Sequence, residues 1–223
     1  MSVVNVYIDG FNVYYCAVKY TPYKWLNLHA LCTHLFPGKT IGKIKYFSAK
    51  VTELPWDMSA PTRQDFYWRA LKTIPDLEII KGNFVSWPRY LPQMPFVYDA
   101  NGHPHKTQVL RTDEKGSDVN LASHLIYDNC TKVADESIVI SNDSDLTVAI
   151  ELVTIGLKKP VIVVNPNRTS AVKKYPVNCR MHRELSRVAT QSIFSINDKV
   201  LAASQFSQTL TDGKGTFSKP PTW

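Results

Sequence analysis

Five short runs that favour β-strands alternate with segments of helical periodicity along this chain of 223 residues. The runs cover residues 3–8, 43–48, 77–80, 137–140 and 160–164. The first of them, residues 3–8, is rich in β-branched residues and lacks clean alternation of apolar and polar side chains, which suits a strand that is buried on both faces. Strands that alternate with helices favour crossover connections and helices on both faces of a sheet. The sequence therefore predicts an α/β fold with a Rossmann-like, mostly parallel sheet.

The chain shows no internal repeat, and its regular pattern is interrupted once. Between residues 82 and 112, the pairs Trp87-Pro88, Leu91-Pro92 and Met94-Pro95 break the strand pattern, and Asn101-Gly102 indicates a β-hairpin. We therefore expect one domain over residues 1–190, with a hairpin insertion over about 82–112. Residues 191–223 are expected to form an irregular C-terminal extension that packs on the domain or trails it.

The composition excludes membrane and secreted proteins and favours one kind of partner. No apolar run reaches the roughly 18–20 residues that span a membrane, and the N-terminus lacks a signal-like apolar stretch. The four cysteines are widely spaced, which is typical of free thiols in a reducing cytosol and gives no zinc motif. The chain carries 26 basic and 19 acidic residues, a formal net charge of +7. We therefore expect a cytoplasmic protein whose positive charge favours a polyanion as partner.

Several carboxylates fall at the expected carboxyl ends of the predicted strands. Asp9 follows the first run, and Asp143 and Asp145 follow the fourth. Glu114 and Asp118 are four residues apart near the start of a predicted helix, so they could share one face. In open parallel sheets, ligand sites form outside the carboxyl ends of strands. Each acid also has a simpler explanation, as a helix cap, a turn residue or a solvated first-turn acid.

A cluster of these acids would favour cation chemistry. Carboxylates held close together repel one another, and a hard divalent cation relieves that repulsion. Such a cation can also activate water and stabilise charge on a phosphodiester. The positions of the acids therefore suggest metal-dependent phosphodiester hydrolysis.

Three motifs follow one another along the chain: Tyr7–Asn12, Glu114–Val119 and Ser141–Leu146. Together they resemble the NYN domain, a branch of the PIN-like nuclease superfamily, and in particular its bacterial LabA-like group. The resemblance covers about residues 3–165. It implies a PIN-type sheet, an acidic pocket that binds Mg²⁺ or Mn²⁺, and hydrolytic cleavage of RNA. It also implies that four aspartates bind the metal and carry the catalysis: Asp9, Asp118, Asp143 and Asp145.

The sequence therefore predicts a Mg²⁺- or Mn²⁺-dependent nuclease, with RNA favoured over DNA. Glu114 is an additional candidate for the metal site. Substrate contacts are predicted for seven residues: Asn12, Lys115, Ser141, Asn142, Arg168, Lys173 and Lys174. Two alternatives stay open, a non-catalytic nucleic-acid-binding regulator on the same fold and a Rossmann-like phosphatase or phosphotransferase. Self-association into a homo-oligomer is also left open.

Overall fold

The computed structural model describes residues 2–53, 55–131, 134–169, 180–221 and 223. The strands are β1 (Val3–Asp9), β2 (Thr40–Ala49), β3 (Leu77–Pro92), β4 (Lys106–Lys115), β5 (Glu136–Ile140), β6 (Val161–Val164), β7 (Gln191–Ile193), β8 (Thr209–Asp212) and β9 (Gly215–Ser218). The α-helices are α1 (Gly10–Val13), α2 (Leu28–Leu35), α3 (Ala60–Leu71), α4 (Ser117–Cys130), α5 (Thr147–Glu151), α6 (Arg183–Val188) and α7 (Asp198–Ala203). The π-helical segments Tyr14–Val18 and Leu152–Gly156 continue α1 and α5, and a 3₁₀ turn, Ser144–Leu146, precedes α5.

Strands β1 to β7 form one sheet in the order β4-β3-β2-β1-β5-β6-β7. Neighbouring strands are parallel except for β3 and β4, which are antiparallel. The chain runs outward from β1 in one direction through β2 and β3, and in the other through β5 and β6. The predicted α/β fold with a mostly parallel sheet is therefore confirmed. The strand order reverses at β1 and β5, and ligands of such sheets bind in the crevice at the carboxyl ends there.

Local signals in the sequence set where the helices begin. The side chain of Asn27 accepts a hydrogen bond from the Ala30 backbone N–H at 3.0 Å, which caps α2. Pro61 lies in the first turn of α3, where a missing N–H costs no helical hydrogen bond. Gly116 has φ of 98°, a left-handed conformation that glycine adopts without strain, and it turns the chain from β4 into α4.

The two faces of the sheet are covered by two apolar cores. Successive side chains of a strand point to opposite faces. Val6 and Ile8 of β1 accordingly pack in the core that includes α2 and α3, whereas Tyr7 packs in the core that includes α4 and α5. Asp9 ends this strand, so its position is fixed by the burial of the strand from Val4 onward.

Strand β3 is longer than the sequence predicts. It continues through Pro88 to Pro92 and pairs with β4 from Asn83 onward. Its pairing with β2 ends at Gly82, so beyond that residue β4 is its neighbour among the described strands. A strand with an edge on one side tolerates proline, because the missing N–H removes no ladder hydrogen bond there. The predicted hairpin insertion is therefore a long two-stranded arm, not an irregular segment with a short hairpin.

The C-terminal segment is more regular than its composition indicates. It contributes β7 to the main sheet, followed by α7 and a separate antiparallel hairpin of β8 and β9. The ring of Trp25 contacts those of Phe206, Phe217 and Trp223, with centroid distances of 5.8, 6.5 and 6.1 Å. Burial of these rings attaches the segment to the core beside α2.

The structure bears on two expectations from the sequence, the lack of a membrane-spanning segment and the free state of the cysteine thiols. Within the described ranges, every helix is too short or too polar to cross a membrane. Cys32 is a buried free thiol and Cys130 an exposed one. Cys16, in contrast, is disulfide-bonded, so the expectation of free thiols is wrong for this residue. Cys179 lies outside the described residues.

Candidate functional site

Asp9 ends β1 at the point where β1 and β5 terminate beside each other. It is buried, with 6% of its surface exposed. One carboxylate oxygen accepts a hydrogen bond from the Asn12 backbone N–H at 2.9 Å, and the other accepts one from the Ser141 hydroxyl at 2.9 Å. Burial raises the pKa of Asp9, while these two hydrogen bonds oppose the rise. Asp9 therefore both caps α1 and brings a carboxylate to the crevice.

The loop after β5 is held against Asp9 through Ser141. The Ser141 hydroxyl accepts a hydrogen bond from the Asp143 backbone N–H at 3.1 Å. The Asp143 carboxylate accepts one from the Asp145 backbone N–H at 2.9 Å and caps the 3₁₀ turn. Asp143 is half-buried, whereas Asp145 is exposed. The simpler explanation of Asp143 as a helix cap is therefore correct. In this position its carboxylate also lies close to that of Asp9 in the crevice.

Helix α4 brings Asp118 to this point from the other side of the crevice. Asp118 lies in its first turn, directly after the Gly116 turn. Glu114, at the end of β4, accepts hydrogen bonds from the Ser117 backbone N–H at 3.1 Å and from the Ser117 hydroxyl at 2.8 Å. Burial raises the pKa of Asp118 from 3.8 to about 6, and four neighbouring carboxylates add to the rise: Asp9, Asp143, Glu114 and Asp145.

One carboxylate oxygen from each of Asp9, Asp118 and Asp143 lies within 4.8 Å of the other two. We call these three residues the acidic cluster. A group of this kind can bind a cation or share protons, because full ionisation of all three members is unfavourable. The structure therefore brings together three of the four predicted aspartates, while Asp145 faces solvent and Glu114 binds Ser117 at the edge.

Two predicted substrate contacts have structural partners within the protein. The Asn12 side chain accepts a hydrogen bond from the Asn142 backbone N–H at 3.2 Å. The Asn142 side chain donates to the Arg180 carbonyl oxygen at 2.7 Å and accepts from the His182 N–H at 2.8 Å. These bonds fix the loop that carries Asp143.

The basic residues predicted to contact phosphate are dispersed. Lys115 is exposed at the end of β4. Arg168 forms an ion pair with Asp198 at 3.1 Å, which compensates its charge. Lys173 and Lys174 lie outside the described residues.

A cleft of about 650 Å³ opens at the same edge of the sheet, and Gly10, which follows Asp9, lines it. We call it the aromatic cleft. A Cβ atom on Gly10 would lie 2.5 Å from Cζ of Tyr46, so glycine permits the close approach of the β2 wall. Eight aromatic side chains line the cleft: Phe11, Tyr14, Tyr15, Tyr20, Tyr46, Trp56, Tyr67 and Trp223. Four charged side chains also line it: Lys19, Lys24, Asp57 and Arg63.

The sequence pattern did not predict the aromatic cleft. Its lining comes from the segment after β1, from β2, from α3 and from Trp223, which are far apart in the chain. Aromatic residues at these positions are explained equally well as core. The density of tyrosines over residues 14–23 was the signal that could have indicated it.

Comparisons with known proteins give a similarity in sequence and a similarity in fold. No protein-family model matches the chain. The chain is 28% identical to 6-hydroxy-3-succinoylpyridine 3-monooxygenase HspA of Pseudomonas putida, over an alignment of 242 positions that covers 98% of this chain and 74% of that protein. A crystal structure of a protein of unknown function from Vibrio parahaemolyticus matches with a TM-score of 0.54 and 16% identity, covering 88% of this chain and 94% of that one. The second likeness shows a shared fold.

The first relative overturns the functional predictions made from the sequence. HspA is named as a monooxygenase, and a monooxygenase is an oxidoreductase. The predicted nuclease function and hydrolase class are therefore wrong, as are the two alternatives. The predicted Mg²⁺ or Mn²⁺ cofactor is wrong for the same reason, since it followed from phosphodiester hydrolysis. Carboxylates at strand ends define where a site lies on such a sheet, but they do not determine its reaction.

Proposed function

We propose that this protein is an oxidoreductase of the monooxygenase type that acts on a small hydroxylated aromatic ring. The similarity to HspA carries the proposal, because it extends over 98% of this chain. The substrate in the name of HspA is a pyridine ring that bears a hydroxyl group and a succinoyl chain. A protein with this activity needs a site at the sheet edge that binds the ring and accepts the proton of its hydroxyl group.

The aromatic cleft supports binding of a ring. Its volume of about 650 Å³ is within the range of small-molecule sites. Aromatic side chains bind a further ring through stacked or edge-to-face contacts. Tyr46 and Ser48 are two residues apart on β2 and both line the cleft, so two hydroxyl groups lie on one wall. The two hydroxyls form a hydrogen bond with each other, and each can form one more with a ring hydroxyl.

The acidic cluster supports removal of a proton. Loss of the proton from a ring hydroxyl makes the ring richer in electrons and easier to oxidise. Asp118 has a pKa of about 6, so it is mostly ionised at neutral pH and close to the value that suits a general base. Its oxygen atoms accept no hydrogen bond from any described residue, whereas both oxygens of Asp9 do. We assign the proton acceptor to Asp118.

Monooxygenase chemistry places one atom of dioxygen in the substrate and reduces the other to water with two electrons and two protons; a redox cofactor supplies the electrons when bound. The β1–α1 turn does not fit a dinucleotide. It reads Asp9-Gly10-Phe11-Asn12, with one glycine where the dinucleotide fingerprint has three, and Asp9 already accepts the Asn12 N–H. The acidic cluster also lacks the two histidines of a mononuclear iron site. A freely diffusing reduced nicotinamide or flavin is therefore the expected electron source.

The test is oxidation of the substrate of HspA by the purified chain. The protein is incubated with 6-hydroxy-3-succinoylpyridine, NADH or NADPH, free flavin and isotopically heavy dioxygen. We expect oxygen consumption and one heavy oxygen atom per product molecule, with heat-denatured protein as the control. Absence of oxidation with every reductant would overturn the proposal, and so would chelator-sensitive RNA cleavage that disappears in Asp118→Asn.

Membership of the NYN group is a separate proposal, and it concerns the fold and the placement of acids. It is supported by the close approach of the carboxylates of Asp9, Asp118 and Asp143, one from each of the three motifs.

Nucleic acid also stays a predicted partner, although the charge of Arg168 is compensated by Asp198. A cytoplasmic location suits the proposed reaction, since reduced nicotinamides are supplied there.

A further inference from the structure

Positive charge gathers at one end of the aromatic cleft. Lys24 and Arg63 both line the cleft. Partial burial and the nearby cations Arg63 and Lys219 lower the pKa of Lys24. A group whose pKa is lowered in this way gains from any anion that comes close to it.

The two cations that line this end differ in how their charge is compensated. The guanidinium group of Arg63 binds both carboxylate oxygens of Asp57, at 2.8 and 2.6 Å. Lys24 forms no ion pair with any described residue. The Lys24 ammonium is therefore left to compensate one negative charge on a ligand.

Exposed aromatic rings lie in the same cleft. Trp56 lines it with 81% of its surface exposed, and Tyr15 lines it with 48% exposed. The Lys19 ammonium lies 4.6 Å from the centroid of the Tyr15 ring and favours one orientation of that ring. Large exposed aromatic surface in a concave site is a common feature of ligand binding.

We propose that the aromatic cleft binds a planar aromatic carboxylate, with the ring against Trp56 and Tyr15 and the carboxylate at Lys24. This inference rests on the proposed function in one respect, since it names the substrate class of the same site. The other ammonium in the cleft lining, that of Lys19, lies over the rings of Tyr15 and Tyr20 at 4.6 and 5.1 Å from their centroids. Lys24 is therefore the ammonium that we assign to a carboxylate. A phosphate group favours the planar fork of an arginine, but Asp57 already occupies the fork of Arg63.

Binding without turnover tests the inference independently of oxidation. Isothermal titration calorimetry, without reductant and without dioxygen, measures Kd for two ligands that differ in charge and, for comparison, for adenosine monophosphate as a phosphate ligand. The first is the hydroxynicotinate whose hydroxyl is para to its carboxylate, and the second is the corresponding hydroxypyridine without the carboxylate. The variants are Lys24→Met, Lys24→Arg, Trp56→Ala and, as a matched control on an exposed lysine of α7, Lys199→Met.

We expect Lys24→Met to weaken hydroxynicotinate about fivefold, since a partly exposed ion pair contributes on the order of 1 kcal/mol. The same variant should leave the uncharged ligand unchanged, and Lys24→Arg should retain most of the affinity. Trp56→Ala should weaken both ligands alike, and Lys199→Met should weaken neither. Equal effects of Lys24→Met on both ligands, no binding by the unaltered chain, or tighter binding of adenosine monophosphate would overturn the inference. Specific binding without any oxidation would instead overturn the proposed function alone.

Discussion

Helix α4 carries two carboxylates that face the sheet in opposite electrostatic surroundings. Asp128, near its C-terminal end, accepts hydrogen bonds from the Tyr7 hydroxyl at 2.8 Å and from the Lys45 ammonium at 2.6 Å. Asp118, in the first turn, meets the other carboxylates of the acidic cluster instead. Ten residues along an α-helix leave the two side chains about 80° apart around its axis, so they lie on adjoining parts of the helix surface. The negative charge of an aspartate is therefore compensated by a lysine near one end of the helix and is left without a compensating cation at the other.

The difference separates a structural role from a functional one. A buried ion pair with satisfied hydrogen bonds is part of the folded core, since removing one partner leaves a charge without compensation. Carboxylates that crowd together cost folding free energy at neutral pH. Arrangements of this second kind are found mainly at functional sites, where perturbed pKa values serve the chemistry. The comparison is an independent reason to place the reaction at Asp118 and not at Asp128.

The largest expected effect is a loss of stability when Asp128, the carboxylate with a compensating cation, is substituted. Asp128→Asn removes the anion beside Lys45, whose side chain is 11% exposed. We expect the free energy of unfolding to fall by about 3 kcal/mol, since an uncompensated ammonium stays buried. Urea denaturation at neutral pH measures this. The double variant Lys45→Met with Asp128→Leu should recover most of the loss, and a double variant as unstable as the single one would contradict the explanation.

The sheet and the acidic cluster were predictable for one physical reason. The carboxyl ends of parallel strands lie at one edge, so Asp9 after β1 and Asp143 after β5 had to lie close together. Asp118 was predictable because the helix that carries it starts at the same edge. The outward position of Asp145 was not, because it depends on the φ and ψ angles of the 3₁₀ turn and not on a sequence pattern.

The aromatic cleft and the reaction were not predictable in this way. Whether Tyr46 or Trp56 lines a cleft or fills a core depends on which distant segments pack beside it. Those contacts are tertiary and leave no local periodicity. The reaction is less accessible still, because one arrangement of carboxylates can bind a cation or accept a proton.

The second expected effect is a loss of turnover when Asp118, the carboxylate without a compensating cation, is substituted. Asp118→Asn should lower kcat for ring oxidation on the order of 100-fold, since it removes the general base. In the unaltered chain, activity should rise with pH through about 6 as Asp118 ionises, and this rise should be absent in the variant. Initial rates across a pH series measure both. Asp99→Asn, an exposed change in the hairpin arm, is the control; a pH rise retained in Asp118→Asn would assign the base to another residue.

The smallest expected effect is that of Asp118→Asn on the free energy of unfolding, and its sign is opposite to that of Asp128→Asn. The folded pKa of Asp118 is about 6 against an ordinary value of 3.8. The folded state therefore holds this proton more tightly, so stability is lost as pH rises from about 4 to about 6 and stays lower above that. The difference between the two pKa values corresponds to about 3 kcal/mol. Solvent around the half-buried carboxylate reduces it to about 1 kcal/mol.

Asp118→Asn should accordingly stabilise the protein by about 1 kcal/mol above pH 6, or roughly 2–4 °C in Tm, and have no effect near pH 4. Thermal unfolding of both proteins across that range measures the difference. Asp212→Asn gives the reverse behaviour, because the Arg69 guanidinium lowers the pKa of Asp212 to about 2. That variant should lose stability at neutral pH, and the loss should fade as pH falls toward 2. If Asp118→Asn destabilised the protein at neutral pH, a compensating cation would be present at the acidic cluster, and the contrast with Asp128 would disappear.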